Sequence, residues 1–103
     1  MTFTLAPADE VLQLLGQRLR TQRLAQGLRQ TELAQMAGLS LGAVRALEAS
    51  GKTTLETLVR AVQALGLAHE LDNLFEPRRL SIAQMEQAAA VRQRKRAPRQ
   101  GAA

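Results

Sequence analysis

Apolar residues recur along the chain in short runs with helical spacing. The first run contains Leu12, Leu15 and Leu19, three or four positions apart, and the helix-start sequence PADE precedes it. Gly27 supplies a stop signal after the run. This pattern predicts a first helix over roughly residues 8 to 26.

Two further helical patterns lie close together in the stretch QTELAQMAGLSLGAVRALEA, where Gly-Leu-Ser separates them. The first predicts a short helix over residues 30–37, with Leu33 and Ala37 facing inward. The second predicts a helix that begins after a Ser40 cap and ends near residues 50–51.

A capping-box pattern, TTLE, opens the next predicted helix. Thr53 is the expected cap, and Glu56 is expected to reach back to the start of the helix. Gly66 is the expected end of this fourth helix. Four apolar positions keep helical register within it: Leu55, Leu58, Val62 and Leu65.

Two shorter patterns complete the chain. Leu71, Leu74 and Phe75 predict a short fifth helix over about residues 69–75, which Pro77 ends. A second capping box, SIAQ, predicts that the tail starts as a helix and continues to about Arg96.

The composition favours an all-α fold. The 103 residues suffice for one small domain with a modest core. Apolar residues make up 46% of the chain but aromatic residues only 2%, and the apolar set is mostly Leu, Ala and Val. These residue types favour packed helices over sheets.

Several chemistries have no residues to support them. The chain contains no cysteine, which excludes disulfides, thiolate catalysis and cysteine zinc sites and favours a reducing compartment. His69 is the sole histidine, and we expect it to be an exposed polar residue near a helix start. We therefore predict no metal site and no cofactor. With no paired nucleophile and base and no phosphate-cradling glycine loop, we also predict that the protein is not an enzyme.

The chain carries no membrane signal. Its N-terminal sequence, MTFTLAPADE, lacks a basic segment followed by a long apolar run, and no apolar stretch approaches the ~20 residues that cross a bilayer. The sequence therefore predicts a soluble, cytoplasmic protein that does not bind a membrane.

The positive charge lies at one end of the chain. Residues 1–77 carry seven basic and eight acidic side chains, whereas residues 78–103 carry seven basic and one acidic, and the whole chain is +5. We therefore divide the chain into a helical domain over residues 1–77 and a basic C-terminal helix or tail over residues 78–103.

Residues 30–49 have the spacing of a helix-turn-helix. Ala34 must be small because the third helix crosses above it, and Gly38 permits the positive φ of a tight turn. Four apolar residues fill the space between the two helices and the rest of the domain: Leu33, Leu39, Val44 and Leu47. The motif would hold its second helix outward, ready to enter a DNA major groove. The alternative is a helical bundle in which the glycine turn only makes a corner.

Three segments carry a resemblance to a known family: LGQRLRTQR, GLRQTELAQMAGLSLGAVRALE and TTLETLVRAVQALGL. Together they cover about six-tenths of the chain, and they resemble the XRE family of lambda-repressor-like and Cro-like DNA-binding domains. The resemblance implies a five-helix lambda-repressor-like fold, to which this chain adds its basic tail. It also implies a homodimer whose two recognition helices read a palindromic operator in double-stranded DNA.

The resemblance assigns roles to individual residues. Gln30 matches a glutamine that contacts phosphate and braces the recognition helix. Arg29 stands where the family often has a Ser or Thr cap, and its guanidinium could instead reach a phosphate. Arg23 and Glu48 match an ion pair that ties the first helix to the recognition helix, and Lys52 lies in a loop that follows the DNA backbone.

The recognition helix is unusual in having few polar side chains on its outer face. At 100° per residue this face carries Gly42, Arg45, Ala46 and Ala49, with Leu41 at the leading end. Arg45 can bond bidentately to guanine or can contact a phosphate, and Leu41 or Ala43 can touch a thymine methyl. Specificity would then rest partly on DNA shape. The predicted DNA-binding set is Arg29, Gln30, Thr31, Ser40, Leu41, Gly42, Ala43, Arg45 and Lys52, with Arg18 and Arg20 as weaker candidates.

Two functions follow from the resemblance. The first is a sequence-specific, nucleoid-associated transcriptional regulator, expected to be a dimeric repressor. The alternative is a HipB-like antitoxin that neutralises a HipA-like toxin kinase and represses its own operon, since TTLETLVRAVQALGL and the short tail are similar to that subgroup. The basic tail could grip phosphates, dock on a partner protein or be a solvated end.

Overall fold

The computed structural model describes residues 3–77, 86–87 and 89–92. Within these ranges the fold is all-α, as predicted. Residues 3–77 form four α-helices, α1 (Ala8–Ala25), α2 (Gln30–Ala37), α3 (Leu41–Ala49) and α4 (Leu55–Ala64), followed by a 3-10 helix (Ala68–Leu71). The described part of the chain contains no strand.

The turn between α2 and α3 has the predicted geometry. Gly38 has a φ of 67° and ends α2, and the backbone N–H of Leu39 donates to the carbonyl of Ala34 at 2.8 Å. The Ser40 hydroxyl accepts a hydrogen bond from the backbone N–H of Ala43 at 3.0 Å and so caps α3. The two helices of the motif are therefore separated by three residues, each bonded locally.

The start of α4 differs from the prediction by one residue. The cap is Thr54, whose hydroxyl oxygen accepts from the backbone N–H of Thr57 at 3.1 Å. Thr53 instead donates its backbone N–H to the carbonyl of Gly51 in the preceding turn. The predicted reach of Glu56 to a Thr53 cap is also wrong, because its carboxylate accepts from the Arg60 guanidinium.

The core lies where α1, α2, α3 and α4 meet. Its buried apolar residues are Leu19, Leu33, Ala34, Val44, Leu47, Ala61, Val62 and Leu65, and Leu39 packs half-buried against them. Leu55 was predicted on the inner face of α4, but it is 74% exposed. The buried face of α4 is centred on Ala61, and Leu55, six residues earlier, lies about 120° around the helix from it at 100° per residue, at the edge of that face.

The predicted fifth helix over residues 69–75 is wrong in type and extent. Its backbone bonds join residues three apart, as from the N–H of Glu70 to the carbonyl of Leu67, which is the 3-10 pattern. The helix ends at Leu71, well before Pro77. Leu67 and Leu71 pack against the core, whereas Leu74 and Phe75 lie exposed in the turns that follow.

Phe75 has an unusual backbone conformation. Its φ is +60°, a left-handed conformation that costs a bulky residue free energy and cannot continue a right-handed helix. The residue is 95% exposed. His69 is exposed, as predicted.

Part of the predicted tail helix is described. Residues 86–87 and 89–92 are helical and exposed. The rest of that prediction, from Ser81 to Arg96, lies outside the described residues, as do most of the basic residues of the tail. Each helix in the described ranges is too short or too polar to cross a lipid bilayer.

Gly16 marks the closest approach of α1 to α3. A Cβ atom built at this position would overlap the backbone carbonyl oxygen of Leu47. Gly42, in α3, is also helical, but a Cβ there would meet no atom closer than the Ser40 hydroxyl at 3.9 Å. The two glycines thus share a helical environment and differ in the space beside them.

We expect Gly16→Ala to lower the free energy of unfolding by about 1–3 kcal/mol, because α1 must move away from α3. Gly42→Ala is the matched control, and its gain in helix propensity should leave stability equal or up to about 1 kcal/mol higher. Urea unfolding followed by circular dichroism measures both. Equal stability of the two variants would show that the α1–α3 contact is not this close.

Candidate nucleic-acid interface

The outer side of α3 is open to solvent. Gly42, Arg45 and Ala49 are exposed, while Val44 and Leu47, on the opposite side, are almost completely buried. Three further small or apolar residues lie half-buried at the edges of the exposed side: Leu41, Ala43 and Ala46. The helix therefore offers a nearly flat surface from which one long charged side chain, that of Arg45, projects.

A buried ion pair joins α1 to the end of α3. Arg23 Nε donates to Glu48 Oε2 at 2.7 Å and Arg23 Nη2 donates to Glu48 Oε1 at 2.9 Å, which is a bidentate arrangement. The two side chains are 7% and 2% exposed. Arg23 Nη1 also donates to the carbonyl of Leu28 at 2.7 Å, in the link before α2.

The pair favours the charged form of the arginine. The hydrogen bonds to Glu48 hold the pKa of the Arg23 guanidinium above its ordinary value, and the negative charge of Glu48 acts in the same direction, although burial opposes both. Arg23 therefore stays charged throughout the pH range in which the protein can be studied.

Gln30 adds a third helix to this junction. Its Nε2 donates to Glu48 Oε1 at 3.1 Å, so that one carboxylate at the end of α3 binds side chains from both α1 and α2. Among the described residues, every buried side-chain nitrogen or oxygen has a hydrogen-bond partner. Gln30 is therefore placed to brace α3, whatever else it contacts.

The surface beside α3 is concave, and two adjoining depressions share Arg20, Gln30 and Arg45 in their lining. The second depression also brings together Arg29, Thr31 and Leu41, three further residues of the predicted DNA-binding set. The sequence signal for Arg20 was its position three residues before Arg23, one helical turn along the same side of α1.

Other predicted residues lie elsewhere or have local roles. The Ser40 hydroxyl is occupied in capping α3. Lys52 lies in the loop after α3, and its Nζ is 3.9 Å from Asp9 Oδ1, with both side chains mostly exposed. Arg18 stacks over the ring of Phe3, with the guanidinium carbon 5.2 Å from the ring centroid.

Arg29 begins α2 without serving as a side-chain cap. A guanidinium carries donors but no acceptor, so it cannot bind the free N–H groups of the first turn. Glu32 provides half of a capping box instead, because its Oε1 accepts from the backbone N–H of Arg29 at 3.0 Å. The Arg29 side chain is 86% exposed and extends toward solvent.

The described residues hold no cluster of three His, Cys, Asp or Glu side chains that could bind a metal ion. The chemistry that this surface offers is that of guanidinium, amide and hydroxyl groups, which bind phosphate oxygens and the edges of bases.

We expect Glu48→Ala to lower the free energy of unfolding by about 3–5 kcal/mol, because it leaves the buried Arg23 without its counter-charge. Glu56→Ala is the matched control: it breaks the exposed pair with Arg60, 2.9 Å long, and should cost less than about 1 kcal/mol. Urea unfolding of the two variants measures the difference. Similar losses in both would contradict a special role for the buried pair.

Comparison with known proteins agrees with this geometry. A family model for helix-turn-helix proteins matches residues 19–71, which extend from the second half of α1 to the end of the 3-10 helix and make up slightly more than half of the chain. No curated protein sequence matches the chain. With α2 and α3 in the positions of the motif, the chain belongs to the XRE family of helix-turn-helix proteins, which are DNA-binding transcription regulators.

Proposed function

We propose that this protein is a dimeric transcriptional repressor that binds a palindromic operator. The observation that carries the proposal is the surface around α3, where Gly42, Arg45 and Ala49 face solvent beside Arg29 and Gln30. A helix about 10–12 Å across fits the major groove, which is about 12 Å wide.

Base reading would depend mainly on Arg45. Of the nine residues of α3, only Arg45 and Glu48 are charged or carry polar side chains, and Glu48 is buried in its ion pair. A guanidinium can donate bidentately to O6 and N7 of guanine. The small residues beside it, Gly42 and Ala46, allow close approach to the base edges, so DNA shape should contribute to specificity.

Residues around Arg45 would contact DNA phosphates. Arg29 and Thr31 are exposed at the start of α2, and Gln30 retains an N–H and a carbonyl oxygen beyond its bond to Glu48. Lys52 is also available to contact a phosphate. Its exposed ion pair with Asp9, at 3.9 Å, is weak, so little free energy is lost when the lysine leaves it.

The operator can be identified by selecting bound duplexes from a random pool, and we expect two inverted half-sites that each contain a guanine. We expect Arg45→Ala to weaken binding to that operator by about 5- to 150-fold, corresponding to ~1–3 kcal/mol, and the Arg45→Ala, Gln30→Ala double variant to weaken it further. Arg60→Ala, on α4, is the control and should bind as the parent does. Mobility shifts measure all three variants, and parental affinity of the double variant would refute the site.

A dimer is part of the proposal because a palindrome requires two copies. Leu74 and Phe75 support it, since these two adjacent apolar residues follow the 3-10 helix and are 49% and 95% exposed. We expect the parent to be a dimer at roughly tens of micromolar by light scattering, and a Leu74→Ser, Phe75→Ser variant to be a monomer. Leu5→Ser, at a 92% exposed leucine, is the control and should leave the dimer intact. A monomeric parent would contradict the dimer.

The antitoxin alternative would use the same exposed apolar pair, or the basic tail, to hold a toxin. It is supported by the apolar exposure at Phe75 and by the net charge of +6 over residues 78–103. Co-purification with the product of the neighbouring gene would favour it. Undiminished toxin inhibition after deletion of residues 78–103 would exclude the tail from that role.

A further inference from the structure

We propose that the second of the two depressions beside α3, the one that Arg29 and Thr31 also line, is a binding site for one DNA backbone phosphate. We call it the phosphate seat, and we propose that Arg20 of α1 is a principal contact in it. The inference rests on the proposed function and assigns α1 a direct part in DNA binding. The depression is lined by four arginines, Arg20, Arg23, Arg29 and Arg45, together with Gln30, Thr31 and Leu41. The described residues that line it include no carboxylate.

The four arginines differ in whether a carboxylate already neutralises their charge. Arg23 is neutralised by Glu48, and Arg29 has Glu32 at 4.0 Å. Within the described ranges, Arg20 and Arg45 have no carboxylate oxygen within 4.0 Å. The depression therefore presents two guanidinium groups without an acidic partner and a third that is only weakly paired, although residues 1–77 together carry a net charge of −1.

The ligand that fits this lining is a phosphate oxyanion. Guanidinium groups donate in a planar fork that matches two phosphate oxygens, and Gln30 and Thr31 can add an amide and a hydroxyl donor. The depression is bordered by α3 itself, through Leu41 and Arg45. When α3 occupies the major groove, the backbone strand at the edge of the groove passes beside the helix, so the phosphate comes from the DNA.

The position of Arg20 is set by the buried junction. Arg23, one turn later on α1, is held by two hydrogen bonds to Glu48, so the side of α1 that carries Arg20 is oriented toward α3. Arg18 is only two residues away, but 200° around the helix, where it stacks on Phe3. The chain thus provides two exposed arginines on one helix, of which only one lines the depression.

The test compares Arg20→Gln with its matched control, Arg18→Gln, in the full chain. Binding to the selected operator and to a scrambled duplex is measured over a range of salt concentrations. We expect Arg20→Gln to reduce the slope of log affinity against log salt by about 0.9, as loss of one phosphate contact does. Affinity for both duplexes should fall by the same factor. Arg18→Gln should keep the parental slope and affinity, and Arg20→Lys should keep the slope.

The outcomes separate this inference from the proposed function. If the parent binds the operator and Arg20→Gln keeps its slope, the phosphate seat is wrong and the repressor proposal is unaffected. If Arg20→Gln alters the selected base sequence instead, Arg20 reads bases and the seat is also wrong. If the parent binds no duplex, both proposals fail.

A free phosphate is the other possible source of the oxyanion. A single free phosphate lacks the neighbouring contacts that α2 and α3 make with a DNA strand, so the parent without DNA should show no saturable binding of inorganic phosphate at roughly millimolar concentration. Saturable binding of inorganic phosphate that is lost in Arg20→Gln, with an unchanged salt slope for operator binding, would overturn the assignment to the DNA backbone. Thermal unfolding of each variant checks that the fold is intact, since Arg20 is exposed and its replacement should leave stability unchanged.

Discussion

The carboxylate of Glu48 is the point on which the arrangement of the first three helices depends. It accepts two hydrogen bonds from Arg23 of α1 and one from Gln30 of α2, and it lies near the C-terminal end of α3. A buried ion pair adds little net stability over a well-packed apolar pair, because both charges lose their hydration. Its effect is geometric: bidentate bonds permit few orientations, so the three helices hold one another in register.

The orientation of the surface around α3 depends on how these three helices pack. With Val44 and Leu47 packed in the core, Gly42 and Arg45 face outward. The close contact at Gly16 brings α1 near enough to α3 to form a wall of the concave surface. The positive charge of this surface comes from the placement of a few arginines, since the body as a whole is slightly acidic. The charge of this surface therefore follows from local geometry and not from the net charge of the body.

The accuracy of the sequence predictions follows the strength of the local signal. Helices α1 to α3 were predicted to within two residues, because apolar periodicity and glycines with positive φ mark them strongly. The cap of α4 was misplaced between Thr53 and Thr54, which have the same side-chain chemistry. The 3-10 helix was mistaken for an α-helix because apolar spacing alone does not distinguish three-residue from four-residue bonding over so short a segment.

The sequence by itself determined the helical class, the turn at Gly38 and the small number of polar side chains along α3, since these features depend on residues close together in the chain. The tertiary structure decided that Gln30 binds Glu48, that Leu55 lies outside the core and that Arg20 shares a depression with Arg45. The physical reason is that each of these features depends on the relative rotation of helices distant in sequence. Packing of the core sets that rotation, and periodicity within one helix does not contain it.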